Sequence, residues 1–284
     1  NSPGDPAEKK IDRTNLVRVE NGVLILELTQ MAEALAQDNS AGGEFRQRIS
    51  SAMPQTKAVV LNCRANDELG PYPSFYFDLF TRRVLTQLLD SAVTLGSSRS
   101  RIHNGYAPQT GTTSGGYYSG FITTTPQSIA GQNTKKSLPM VVVINDKTPD
   151  EGEIFSGLQA SKHAVVVQEG EAKELAVSTF SIRLPLDVSV RMRTTELVNP
   201  DGSIGFQPDV IVPRGQQDSA MTAALQSLQN FNPGSRRTAQ TATTQVSTED
   251  KTYPEMEFPS SEYRLLALFR FWNVINYFFP YKHL

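Results

Sequence analysis

A chain of 284 residues with 38% hydrophobic content can bury a sizeable core, as one large domain or two small ones. Its 27 basic and 29 acidic residues nearly cancel, and basic pairs occur only at Lys9-Lys10, Arg82-Arg83, Lys135-Lys136 and Arg236-Arg237, so no field argues for nucleic acid or an anionic membrane. The single cysteine, Cys63, excludes an internal disulfide framework and a cysteine-based zinc site, and its apolar surroundings read as those of a buried structural thiol rather than a nucleophile.

No signal peptide or membrane span is visible in the residues given. The most apolar stretch, Leu265 to Tyr281, is interrupted by Arg270, Asn273 and Asn276 and is no bilayer helix. The polar start, NSPGDPAEKK, reads as a linker or a processed end, which leaves room for an upstream export signal.

After a flexible head (residues 1–19), Val23 to Leu28 reads as a strand and Gln30 to Gln37 as a helix. Asp38-Asn39-Ser40 and Gly42-Gly43 break the pattern, and Glu44 to Met53 predicts a second helix stopped by Pro54. Ala58 to Leu61 is an apolar run of buried-strand type. A loop from Arg64 to Pro73 leads to a helix from Ser74 to about Leu89, with Phe75, Leu79, Val84, Leu85 and Leu88 at roughly helical spacing. From Ser97 to Lys136 the composition turns to Gly, Ser, Thr, Tyr and Gln, and a β-hairpin or lid is expected around Gly115 to Ile122.

The segment Met140 to Glu171, MVVVINDKTPDEGEIFSGLQASKHAVVVQEGE, predicts a strand (Val141 to Ile144), a tight loop, a helix (Glu151 to Ala160) and a strand (Ala164 to Val167). That is the βαβ pattern of a parallel layer. Asp150 with Glu153 three residues on fits a capping box. Alternating runs follow at Val177 to Leu184 and Val188 to Thr194, then a turn at Asn199-Pro200-Asp201-Gly202 and a helix from Gln217 to Leu228. Together these define a core over residues 20–231. A Ser/Thr/Gln/Pro-rich linker occupies 232–259. In 260–284 a helix from Ser261 to Phe279 places Leu265, Leu268, Phe269, Trp272, Ile275 and Phe279 on one face, expected to dock on apolar surface of this chain or a neighbour.

Four of these segments resemble, in order, the tail-specific (C-terminal processing) serine peptidases. They are Ala58 to Arg64 (AVVLNCR), the βαβ segment, Asp201-Gly202 with Gly205 to Val210, and Arg264 to Tyr281 (RLLALFRFWNVINYFFPY). The resemblance implies an α/β fold, a layered core of stacked βαβ units of the ClpP/crotonase type with a separate C-terminal helix. It also implies serine peptidase chemistry: a Ser at a helix N-terminus, a lysine or histidine base, and an oxyanion hole from a Gly-rich loop. Laid on that pattern, Asn145 and Glu153 match, Asp150 fills the nucleophile's place, and Asn62 replaces the aspartate of Asp-x-Arg. Lys173 is the general-base match, without the family's preceding glycine. Gly70, Glu151, Tyr117 and Tyr118 are the oxyanion-region and groove candidates. The family also implies a bacterial-type protein, an extracytoplasmic setting, and a peptide or protein C-terminus as partner.

A carboxylate at a helix start stabilises the helix by on the order of 1 kcal/mol but is a poor nucleophile, because attack on an amide would give a high-energy mixed anhydride. Asp150 therefore reads as a cap, and this portion as a pseudoenzyme. The segment normally ahead of a protease core here follows one, which implies a downstream unit of the same chain beyond Leu284, and oligomerisation is compatible with the pattern. Two further readings stay open. One is a small hydrophobic ligand binder, like the retinoid-binding relatives of the family; the other is a peptidase using His103 with Ser114. His163, entering a strand, reads as a surface or packing residue. No His/Asp/Glu spacing suggests a metal, and no cofactor is called for.

Overall fold

The computed structural model describes residues 11–67, 69–108, 115–133, 137–171, 179–183, 189–215, 218–233 and 258–278. In chain order the elements are β1 (Val17–Glu20), β2 (Val23–Glu27), α1 (Leu28–Gln37), α2 (Ala41–Ala52), a 3-10 turn (Met53–Gln55), β3 (Ala58–Asn62), α3 (Pro71–Leu88), β4 (Val93–Thr94), β5 (Ser97–Pro108) and β6 (Gly115–Thr123). They continue as β7 (Ser128–Ile129), β8 (Met140–Asn145), α4 (Gly152–Ala160), β9 (Ala164–Glu169), β10 (Thr179–Arg183), β11 (Ser189–Arg193), β12 (Thr195–Val198), β13 (Val210–Val212), α5 (Ser219–Gln229) and α6 (Ser261–Phe278). The chain divides into two compact units, Asn1–Ser98 with Thr124–Thr241, and Arg99–Thr123 with Ala242–Leu284.

The first unit is the expected α/β core. Its sheet has the order β1-β2-β3-β8-β9-β13, with β1 antiparallel to β2 and every later pairing parallel. Helices α1 and α2 cross from β2 to β3, α3 lies between β3 and β8, and α4 between β8 and β9. Adjacent strands thus follow one another in sequence, as stacked βαβ units do. Alternate residues supply two cores. Leu24, Leu26, Val59, Leu61, Val142, Ile144 and Val166 pack under α1 to α4, while Ile25, Val60, Val141, Val143, Val165 and Val167 pack under α5 through Ala220, Ala223 and Ala224. Burial on both faces is why these strands read as unbroken apolar runs.

Three boundaries differ from expectation. Helix α2 starts at Ala41 and runs through Gly42 and Gly43; glycines in a first turn cost less than in a helix interior, so they do not break it there. Helix α3 starts at Pro71, because Pro71 and Pro73 occupy first-turn positions whose amides have no intrahelical acceptor. The capping box at α4 is absent: the N-cap is Glu151, without a side-chain cap bond, and Asp150 lies one residue too early to reach Glu153.

Gly157, in the middle of α4, marks a close backbone approach. A Cβ there would lie 2.7 Å from the Thr94 carbonyl oxygen and 2.9 Å from Leu95 Cα. Gly157→Ala is therefore expected to destabilise the fold by about 1–3 kcal/mol, the usual cost of overpacking. A urea midpoint unchanged by the substitution would contradict the packing of α4 on β4.

In the second unit β5 and β6 form the expected antiparallel hairpin, with His103 opposite Ser119 and Asn104 opposite Tyr118, and the Arg99 guanidinium lies 4.4 Å from the centre of the Phe121 ring. Helix α6 forms at the expected place. Leu265, Leu268 and Trp272 are 52%, 57% and 60% exposed, as are Leu266 and Phe271 to 38% and 62%. Apolar residues run round the helix instead of forming one stripe, so no single face commands burial. The linker 234–257 lies outside the described residues.

Candidate functional site

Parallel strands of an α/β sheet present ligand sites beyond their carboxyl ends. Four strands here finish in a polar residue at that edge: Glu27 on β2, Asn62 on β3, Asn145 on β8 and Glu169 on β9. Arg64, just past β3, ties them together. Its Nε donates to Asn62 Oδ1 at 2.9 Å, one terminal nitrogen donates to Glu169 Oε2 at 3.1 Å, and the two together grip Asp218 at 2.9 and 3.0 Å. Asp218 is also the N-cap of α5, accepting from the Met221 amide at 2.9 Å. Asn62 Nδ2 donates to Glu27 Oε2 at 2.6 Å, and Glu27 Oε1 accepts from Arg18 at 2.7 Å. An aspartate at position 62 could not donate to Glu27, so the amide there fits its neighbour.

Asn145 joins the two loops that frame the site. Its Oδ1 accepts from the Ala65 amide at 3.2 Å and the Lys147 amide at 3.1 Å, and its Nδ2 donates to the Ala65 carbonyl at 2.7 Å. Thr148 Oγ1 donates to the Cys63 carbonyl at 2.9 Å. Beside these groups lies a cavity of about 590 Å³, lined by Thr29, Glu33, Arg64, Asp67 and Arg214 among others. Burial and the Asp67 charge push the Glu33 carboxyl above its ordinary range.

The α4 N-terminus is crowded with acids. Asp150 is exposed, and its Oδ1 accepts from the Gly152 amide at 3.3 Å. Glu151 turns inward, and burial pushes its carboxyl up to about 8, helped by the charges of Asp78 and Asp150 and opposed by Arg82. Glu153 is raised by burial and by Asp150 and Asp78, again against Arg82. Arg82 is held 2.7 Å from Asp78. Cys63 is fully buried, and desolvation with the Glu151 and Glu27 charges pushes its thiol well up, away from the thiolate a nucleophile needs.

Among the other sequence candidates, Gly70 is the N-cap of α3, with ordinary extended backbone. His103 lies on β5, and Tyr117 and Tyr118 on β6, all in the second unit; their side chains, like Lys173 and Ser114, lie outside the described residues. His163 is a packing residue, with Nδ1 3.0 Å from Ser161 Oγ and Nε2 3.3 Å from Asp90 Oδ1. Sequence reasoning missed Asp78, Arg82, Glu169 and Asp218. For Glu169 a signal existed, a charged residue closing the apolar run AVVVQE. Among the described residues no cluster of His, Cys, Asp and Glu has the arrangement of a metal site, and no helix is long and apolar enough to cross a membrane.

No protein-family model and no curated protein sequence matches the chain. Solved structures similar to it include mature CPAF complexed with lactacystin (14% identity, TM-score 0.43, covering 73% of this chain and 50% of that one). A lipoprotein from Streptococcus agalactiae matches at 11% identity and TM-score 0.38, over 75% of this chain and 69% of the other. The photosystem II D1 C-terminal processing protease matches at 16% identity and TM-score 0.33, over 72% of this chain and 46% of the other. The chain thus spans about half the length of two of these structures, and likeness at this level transfers neither activity nor site residues to it.

Proposed function

We propose that this chain is a peptidase-like α/β core without acyl-enzyme chemistry, serving as a peptide-holding or scaffolding part of a larger peptidase. The observation that carries the reading is the α4 N-terminus. Acyl transfer needs a nucleophile beside donors that stabilise a developing oxyanion. Position 150 instead holds a carboxylate that accepts from the first helix amide, and the same helix start carries Glu151 and Glu153, which feel the charges of Asp78, Asp150 and Arg82. An oxyanion formed there would have to compete with the Asp150 carboxylate for that amide.

The carboxyl-edge cavity favours peptide over an apolar small ligand, because it is lined by Asn62, Asn145, Arg64 and acids rather than by aliphatic side chains. Such groups suit the amides of an extended backbone.

The test is exposure of the 284-residue chain to a fluorophosphonate probe and to a quenched peptide pool. Neither labelling nor turnover is expected, and Asp150→Ser alone should stay silent because the neighbouring acids remain. Each missing catalytic element costs about 10²-fold or more, and these losses are not independent. Probe labelling of the wild-type chain, or peptide turnover abolished by Asp150→Ala with an unchanged melting point, would overturn the proposal.

A further inference from the structure

Helices α1, α2 and α3 frame a groove of about 470 Å³ that shares no lining residue with the carboxyl-edge cavity. Leu79 and Tyr76 give it accessible apolar surface over the buried Leu35, Ile49 and Phe80, and Asn39, Thr86, Gln87 and Gln132 add polar groups. Tyr76 also lines it and makes edge-on ring contacts with Tyr72 at 5.4 Å and Phe75 at 5.6 Å, both of which are exposed. The charged residues of the lining are Arg46 and Arg83, and no acid accompanies them.

The reason those arginines stand alone is visible on the same helices. Asp38 is engaged by Arg13, Glu44 by Arg13 and Arg48, and Asp78 by Arg82. Arg46 and Arg83, both exposed, make no ion pair among the described residues. A groove that presents unpaired guanidinium groups and a cluster of aromatic rings has the side-chain types on which protein interfaces concentrate their binding energy. Its uncompensated positive charge, in a chain of net charge −2, selects an anionic occupant.

We propose that this groove docks a partner protein through an acidic, apolar segment. One or two large apolar side chains would rest on Leu79 and Tyr76, and flanking carboxylates would take charge-assisted hydrogen bonds from Arg46 and Arg83. The apolar anchor supplies burial, and the arginines supply orientation and choice of partner.

The probe is a fluorescein-labelled hexapeptide, Glu-Glu-Leu-Phe-Glu-Glu, blocked at both ends and followed by fluorescence anisotropy at low salt. Saturable binding is expected, weakened tenfold or more by the double substitution Arg46→Glu/Arg83→Glu. Replacing Leu-Phe with Ser-Ser in the peptide should cost at least as much, and the lysine analogue should bind the reversed variant better than the wild type. Both substitutions are on exposed side chains, and an unchanged melting temperature would verify the fold. Absence of saturable binding, a smaller loss on charge reversal, or wild-type binding of the lysine analogue with equal affinity would each overturn the proposal. So would displacement by dodecanoate at lower concentration than by unlabelled peptide, which would assign the groove to a lipid carboxylate. The outcome is independent of the Asp150 site, whose test reads covalent labelling.

Discussion

Glu151→Gln is expected to raise the stability of the folded chain at pH 8 and above and to leave it nearly unchanged near pH 4. Burial and the neighbouring acids push the Glu151 carboxyl from its ordinary 4.5 up to about 8 in the folded protein. Between those values the folded state keeps a proton that the unfolded chain has released. More protons bound to the native state than to the unfolded state means that unfolding free energy falls as pH rises. Each tenfold difference in proton affinity between the two states is worth about 1.4 kcal/mol, so the loss accumulated by pH 8 is on the order of a few kcal/mol. Glutamine keeps a donor for Asp78 and carries no charge to desolvate, so it removes this slope. Glu153, shifted in the same direction by burial and the same acids, leaves a smaller residual slope. Chemical denaturation of both proteins from pH 4 to 9 is the measurement. Parallel stability curves would show that Glu151 is not held in an acidic pocket at the start of α4.

The parts of this fold that were legible in the sequence are those decided locally or by burial on two faces. Val59, Leu61, Val142, Ile144, Val165 and Val167 stood out because a strand inside a parallel sheet has no polar face. Asn145 and Arg64 were visible as polar residues at strand ends, though what they bind was not. Glu151 illustrates the limit: its chemistry depends on Asp78 and Arg82, which α3 brings to the start of α4 from a distant part of the chain. No periodicity encodes that meeting. Asp150 as a capping-box partner failed by one residue, because the loop after Thr148 sets where the helix begins, and Thr148 is fixed by its bond to Cys63. The span of helix α6 was legible, whereas the choice of one apolar face was not, since apolar residues also occupy its other sides.

Arg64→Met should be the most damaging single change at the carboxyl edge. Arg64 is the cation shared by Glu169 and Asp218, and its side chain and that of Glu169 are only 16% and 11% exposed. Methionine fills much of the volume but leaves Glu169 buried beside a lost partner and Asn62 Oδ1 without its Nε donor. Removing one member of a buried ion pair costs about 3–5 kcal/mol, far more than the pair adds over an apolar substitute. Adding Glu169→Gln to Arg64→Met should recover part of that loss, a non-additivity that a double-mutant cycle reads directly. The substitution also has a pH signature. Hydrogen bonding to Arg64 is the main cause holding the Asp218 carboxyl below its ordinary range. A depressed acid contributes stability above its unfolded value that is lost as pH falls through the folded one. The wild-type chain should therefore lose stability below about pH 4 more steeply than Arg64→Met does. A variant that melts with the wild type, with the same acid limb, would mean that Arg64 does not organise the ends of β3, β9 and α5.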